Sequence, residues 1–277
     1  MRIVDLPGGW PDAGHAARAV FRWNAYPAER PGRRAAEPET GFRIGWDEYA
    51  EYTVDPREGI IDVAIGPINE DEAAAAFILS VLPLILPRVG LEPLHGATLM
   101  LPAGTSLLVL GVSGSGKSTT AGSLRANGLR FLADDACAID DDGRIWPGPS
   151  LTAGEHLVPD DASRELTRYD GKRIIEVKQG TGDPLPIGAT AILDPSEGAE
   201  LAIHSLSAGE RIVEILRYVR APWALPQFRE QRQLSATTAV SRRPVGVVSF
   251  SPRTHQPGDV ASAIARWLEQ AHAMESR

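Results

Sequence analysis

The feature that constrains this chain most is an eight-residue run, Gly111-Val112-Ser113-Gly114-Ser115-Gly116-Lys117-Ser118. It matches the phosphate-loop pattern G-x-x-x-x-G-K-[ST] at every fixed position. The chemistry accounts for each residue type. Glycines let the backbone curl so that successive N–H groups converge on one phosphate, and the helix that follows adds its positive N-terminal end. Lys117 supplies a compact charge between the β- and γ-phosphates, and the Ser118 hydroxyl is a magnesium ligand. The pattern requires a strand before it and a helix after it. The apolar run 106–110 and the segment 117–126, stopped by Asn127-Gly128, supply both. From the residue frequencies of this chain, a chance match has roughly a few chances in a thousand. The candidate nucleotide-binding residues are Gly111, Ser113, Gly114, Ser115, Gly116, Lys117, Ser118 and Thr119, with ATP and Mg2+ as the implied cofactors.

Composition sharpens the reading of the lysine. The 28 basic residues include only three lysines, Lys117, Lys172 and Lys178, so 28 − 3 leaves 25 arginines. A chain that uses lysine so sparingly has placed one where a point charge suits better than a guanidinium fork. The net charge of −8 argues against a nucleic-acid partner. The start of the sequence shows no signal peptide, and the most apolar stretch, 73–86, is 14 residues long and contains Pro83. A membrane span needs about 20 residues. With Cys137 as the single cysteine and no disulfide possible within the chain, the expectation is a cytoplasmic protein without a membrane partner. A homo-oligomer is left open.

Residues 1–40 read as an irregular arm, broken by Pro7-Gly8-Gly9, Pro27, Pro31-Gly32 and Pro38. The arm is nevertheless rich in aromatics. Residues 1–52 hold eight of the chain's 17, Tyr52 among them, which favours packing over disorder. Residues 41–277 read as the catalytic domain. A strand over 59–65 precedes Asn69 and Glu72, spaced as a capping box, which open a helix to about Arg88 kinked or split at Pro83. Hairpins over 97–110 and 136–146 flank the glycine loop and its helix, so the sheet is predicted to be mixed, with flanking helices, in an α/β fold. Strands are expected over 189–193, 201–206 and 245–250, helices over 207–219 and 258–271, and a loop-like stretch with room for a short helix over 221–244.

The strand after the phosphate-loop helix ends in Asp134-Asp135, 16 and 17 residues beyond Ser118. An acidic residue at the end of a neighbouring strand completes the magnesium site in phosphate-loop proteins. Adjacent residues on an extended strand face opposite ways, so the two carboxylates divide their work unless the strand turns there. One suits the metal, the other an acceptor hydroxyl.

At these residues the sequence resembles the kinase domain of HPr kinase/phosphorylase and its stand-alone relatives. Gly111 through Ser118, then Asn127-Gly128-Leu129 and Leu132-Ala133-Asp134-Asp135-Ala136, follow that family's order and spacing, as does Leu94-His95-Gly96 ahead of the loop. The close resemblance spans about 45 residues. It implies a P-loop kinase fold of the HPr kinase and phosphoenolpyruvate carboxykinase type, and transfer of a γ-phosphate to a serine hydroxyl. It also implies roles: Asp134 as proton acceptor, Asp135 as the magnesium-side carboxylate with Ser118, and His95 as a polar group beside the reacting phosphate. The family's later Glu-Ile-Arg-Gly-x-Gly signature has no aligned counterpart, since the one similar run, Ile175-Glu176-Val177-Lys178-Gln179-Gly180, lies too far downstream. That points away from HPr itself and toward a serine of another peptide or small protein, as in the similar kinases found with lasso-peptide biosynthesis. A small-molecule kinase and a nucleotide-gated regulator are the alternatives. Lys172-Arg173, after the turn Asp170-Gly171, read equally as further candidates to reach the γ-phosphate or as a solvated turn.

Overall fold

The computed structural model describes residues 2–5, 20–27, 42–46, 50–55, 60–154, 163–169, 171–177, 182–220 and 226–275. Strands β1 (Arg2–Asp5), β2 (Val20–Pro27), β3 (Phe42–Trp46), β4 (Ala50–Asp55) and β5 (Ile60–Ile65) form one sheet in the order β1-β2-β5-β4-β3. β2 runs parallel to β5, and the other pairs are antiparallel. The expected irregular arm is therefore corrected. Two of its stretches are strands, and a boundary at residue 40 would divide a single sheet. Val20, Phe21, Trp23 and Tyr26 are β-branched or aromatic residues that suit a pleated surface, which outweighs the neighbouring prolines. Trp10 and Tyr49 lie outside the described residues.

One face of this sheet is buried by alternation: Ala50, Tyr52 and Val54 on β4, with Ile61 and Val63 on β5, are all fully inaccessible. They pack on α1 (Glu70–Ala76), whose start is the capping box expected of Asn69 and Glu72, with both reciprocal bonds at 2.9 Å. The Tyr52 hydroxyl donates to the Ala73 carbonyl at 2.8 Å, and its ring lies 5.5 Å from that of Phe77. A long helix does not follow. The chain passes through a π turn (Phe77–Val81), α2 (Leu82–Ile85) and a 3-10 turn (Leu86–Val89). Pro83 has no N–H to return to Leu79 and Pro87 none to return to Pro83, so the helical ladder fails ahead of each proline. The break thus starts earlier than the predicted kink.

The second sheet carries the glycine loop. Its elements are β6 (Glu92–Leu94), β7 (Gly96–Met100), β8 (Ser106–Gly111), α3 (Lys117–Ala126), β9 (Arg130–Asp134), β10 (Cys137–Ile139) and β11 (Arg144–Trp146). A separate three-stranded antiparallel sheet follows, β12 (Leu151–Gly154), β13 (Ser163–Tyr169) and β14 (Lys172–Val177), in the order β12-β14-β13. The chain then returns through β15 (Leu185–Pro195), β16 (Ala202–Ser205), α4 (Ala208–Leu216), α5 (Pro226–Ser241), β17 (Val245–Phe250) and α6 (Pro257–Glu275). The order is β6-β10-β11-β15-β8-β7-β9, with β17 beside β15 and β16 beside β17. β8, β15 and β17 are parallel, whereas β7 is antiparallel to both β8 and β9, which makes the sheet mixed as predicted.

Helices cover both faces of this sheet. Leu107 and Val109 of β8 turn toward α3 and α6, and Leu108 and Leu110 toward α4 and α5. Residues 226–241, expected to hold at most a short helix within a loop-like stretch, form a 16-residue helix: Gln, Arg, Ala and Leu are adequate helix formers, and Pro226 is tolerated in the first turn. The three-stranded sheet was not foreseen, because β13 and β14 carry charged residues and expose part of both faces. Among the described residues no helix is long and apolar enough to cross a membrane.

Candidate active site at the glycine loop

The loop leaves β8 at Gly111, which is paired with Leu193 of β15. A Cβ on Gly111 would collide with the Ser115 hydroxyl and press on the Leu193 carbonyl, so the loop closes only over a bare Cα. Gly114 and Gly116 adopt φ of 81° and 90°, which other residues rarely adopt, and Gly116 leads directly into α3. Lys117 folds back across this turn. Its Nζ donates to the carbonyls of Gly111 at 2.9 Å and Val112 at 2.8 Å. Burial pulls its pKa down to about 8, against the opposing pull of Asp134 and Asp135. The Ser115 Oγ is buried and has no hydrogen-bond partner, an unmet polar atom inside a loop of amides.

The paired aspartates stand at the end of β9, where the strand does turn. Asp135 has φ 67°, a left-handed conformation that costs a non-glycine residue about 1–2 kcal/mol. Asp134 is held by donors on both of its oxygens. Its Oδ1 accepts from the Asp135 amide at 3.0 Å, and its Oδ2 from the Thr152 hydroxyl at 2.5 Å and the Ala153 amide at 3.4 Å. The Ser118 hydroxyl is near enough to this carboxylate to favour its charged form. Burial raises the Asp134 pKa, opposed chiefly by the Thr152 bond.

Asp135 faces other company. Its Oδ2 accepts from Arg220 Nη2 at 2.6 Å, and its Oδ1 lies 3.8 Å from His95 Nδ1. Burial raises its pKa, while Arg220, Lys172 and Lys117 oppose the rise. Arg220 Nη1 also contacts His95 Nδ1. Burial, then the charges of Lys117, Arg220 and Lys172, hold His95 down at about 3, so the ring is neutral at ordinary pH. With Nδ1 accepting from a guanidinium, its proton sits on Nε2. His95 is fixed through its own amide, which donates to the Tyr218 carbonyl at 2.7 Å.

The structure therefore brings Lys117, Ser118, Asp134, Asp135 and His95 into one site, and it separates Lys172 from Arg173. Lys172, at the start of β14, acts electrostatically on both His95 and Asp135. Arg173 turns to Glu165, with Nε 2.9 Å from Oε2. Ser113 and Gly114 are exposed at the loop's tip, and Thr119 is half-buried. Sequence reasoning missed Arg220 and Thr152, which no local pattern marks.

The residues fit a phosphate group and a magnesium ion. The buried, unpartnered Ser115 Oγ and the loop amides are donors in search of an acceptor, and Ser118 with Asp134 offers two hard oxygen ligands. Among the described residues no group of three or more His, Cys, Asp or Glu stands ready to hold a metal by itself. Magnesium bound with a nucleotide needs no such cage, because phosphates and water complete its octahedron.

No protein family and no curated protein matches the sequence. Among solved structures the chain is similar to the HPr(Ser) kinase/phosphatase from Coxiella burnetii, at 13% identity and a TM-score of 0.35, over 67% of this chain and 95% of that one. Likeness at that level does not establish a shared fold. The chemistry has to be read from this chain's own residues.

Proposed function

We propose that the protein is an ATP- and magnesium-dependent kinase that transfers the γ-phosphate to a serine hydroxyl, with a fold of the HPr kinase and phosphoenolpyruvate carboxykinase type. The observation that carries this is the meeting of two dissimilar groups at one point. A phosphate loop with its lysine and serine lies on one side, and a buried carboxylate flanked by cations and a neutral histidine lies on the other. A simple nucleotide switch needs the first group and has no use for the second. The acceptor class, a serine in a peptide or small protein, follows from the sequence resemblance.

In this reading the loop amides and the start of α3 hold the phosphates, and Lys117 exchanges its two carbonyl partners for β- and γ-phosphate oxygens. Magnesium, when bound, neutralises charge on those oxygens. Ser118 and Asp134 would hold it, while Asp135 takes the proton of the serine hydroxyl as the new O–Pγ bond forms and ADP leaves. This exchanges the two aspartate roles that the resemblance implies. Hydrogen bonding supports the exchange: Asp134 lies beside Ser118 and already accepts from three donors, which suits a fixed ligand more than a base. Arg220, Lys172 and the Nε2–H of His95 supply positive charge and a donor for the phosphoryl group in transit.

Incubating the full chain with γ-labelled ATP, magnesium and a panel of serine peptides tests the reading. Alkali-labile label on a peptide serine is the expected result. Bound ATP whose label never leaves, or leaves only to water, would contradict it.

A further inference from the structure

Arg220 is held from three directions, and the third leads out of the site. Its backbone amide donates to the Pro93 carbonyl at 2.8 Å, and its guanidinium reaches His95 and Asp135. The same Nη2 that bonds Asp135 also donates to the backbone carbonyl of Leu79 at 2.8 Å. A carbonyl inside a helix is ordinarily taken by the N–H four residues on. Four residues beyond Leu79 stands Pro83, which has no N–H, and Leu79 lies within the π turn Phe77–Val81. The sequence has thus opened the helix at the carbonyl that meets the guanidinium.

We propose that the π turn and Pro83 form a backbone anchor for Arg220, which makes Pro83 and Leu79 positioning residues for the acceptor side of the site. A guanidinium anchored only by His95 and Asp135 could swing with them. One tied also to a backbone carbonyl fixes their relative placement, and a small misplacement of reacting groups is expensive in rate. The anchor joins the site to the N-terminal sheet, because the helical run that carries Leu79 packs on Tyr52, Val54, Ile61 and Val63 in one continuous core. The kinetic part of this inference rests on the kinase reading above, but the anchor itself does not.

Pro83→Ala tests it by restoring an N–H that draws the Leu79 carbonyl back into the helix. Two measurements are made on the full chain. In spectra of 15N-arginine-labelled protein, the guanidinium signals of Arg220, assigned by their loss in Arg220→Lys, are expected to be separately resolved in the wild type and averaged in Pro83→Ala. In transfer assays Pro83→Ala should lower kcat about three- to tenfold while leaving ATP affinity unchanged. Placed on Arg220→Lys, it should add almost nothing, because the anchored group is already gone. Arg220 signals still resolved in Pro83→Ala, or effects that multiply in the double variant, would overturn the proposal. If no variant and no wild type transfers phosphate, the kinase reading fails and the guanidinium signals alone decide the anchor. Pro83→Ser restores the same N–H and serves if Pro83→Ala does not fold.

Discussion

The two sides of the site are built by opposite means. On the loop side, Lys117 bonds to carbonyls only six and five residues away, within a turn that three glycines and one helix start define by themselves. On the acceptor side, Arg220 bonds to partners 125, 141 and 85 residues away, each in a different stretch of the chain. A local motif carries its chemistry wherever it is placed, whereas an assembled cluster exists only if the whole fold is correct. In the proposed reading the loop side governs nucleotide binding and the acceptor side governs transfer, so variants on each side should fail in different ways.

The largest effect is expected on the loop side. Lys117→Ala should reduce transfer by more than about a thousandfold and weaken ATP binding, as measured by label transfer and calorimetry. Undiminished ATP affinity in that variant would break the comparison. Next, Asp135→Asn should lower transfer by about a hundred- to a thousandfold while Mg-ATP affinity stays within about threefold of the wild type. Asp134→Asn should instead raise the magnesium concentration for half-maximal rate by about tenfold or more. The reverse pattern would restore the assignment drawn from the resemblance. Arg220→Lys keeps the charge but loses the fork that spans Asp135, His95 and Leu79. It should cost about ten- to a hundredfold in kcat with little change in the KM for ATP. The smallest effect is expected of Thr152→Val, which removes one donor from a carboxylate that keeps others. It should cost about 1–2 kcal/mol of stability, read from chemical denaturation, and raise the magnesium requirement a few-fold.

The same division decided what could be read from the sequence. The strand, loop and helix around Lys117 were legible because their residues lie side by side and each obeys a local rule. So were the Asn69–Glu72 capping box and the mixed character of the sheet. Asp134 and Asp135 could be found, but not the turn that parts them, because the φ of 67° at Asp135 has no glycine to announce it. Arg220 is one arginine among 25, and only the pairing of Val219 with Leu94 brings it beside His95. Strands β1 and β2 were obscured by the prolines around them, and α5 by a composition that suits a loop as well as a helix.

Single-turnover transfer from saturating Mg-ATP to a serine peptide, wild type against Asp135→Asn, tests the central claim most directly. The account predicts phosphoserine with the wild type and a rate at least about a hundredfold lower with Asp135→Asn at equal bound ATP. Equal rates in the two proteins, or bound ATP and no phosphoserine in either, would contradict it.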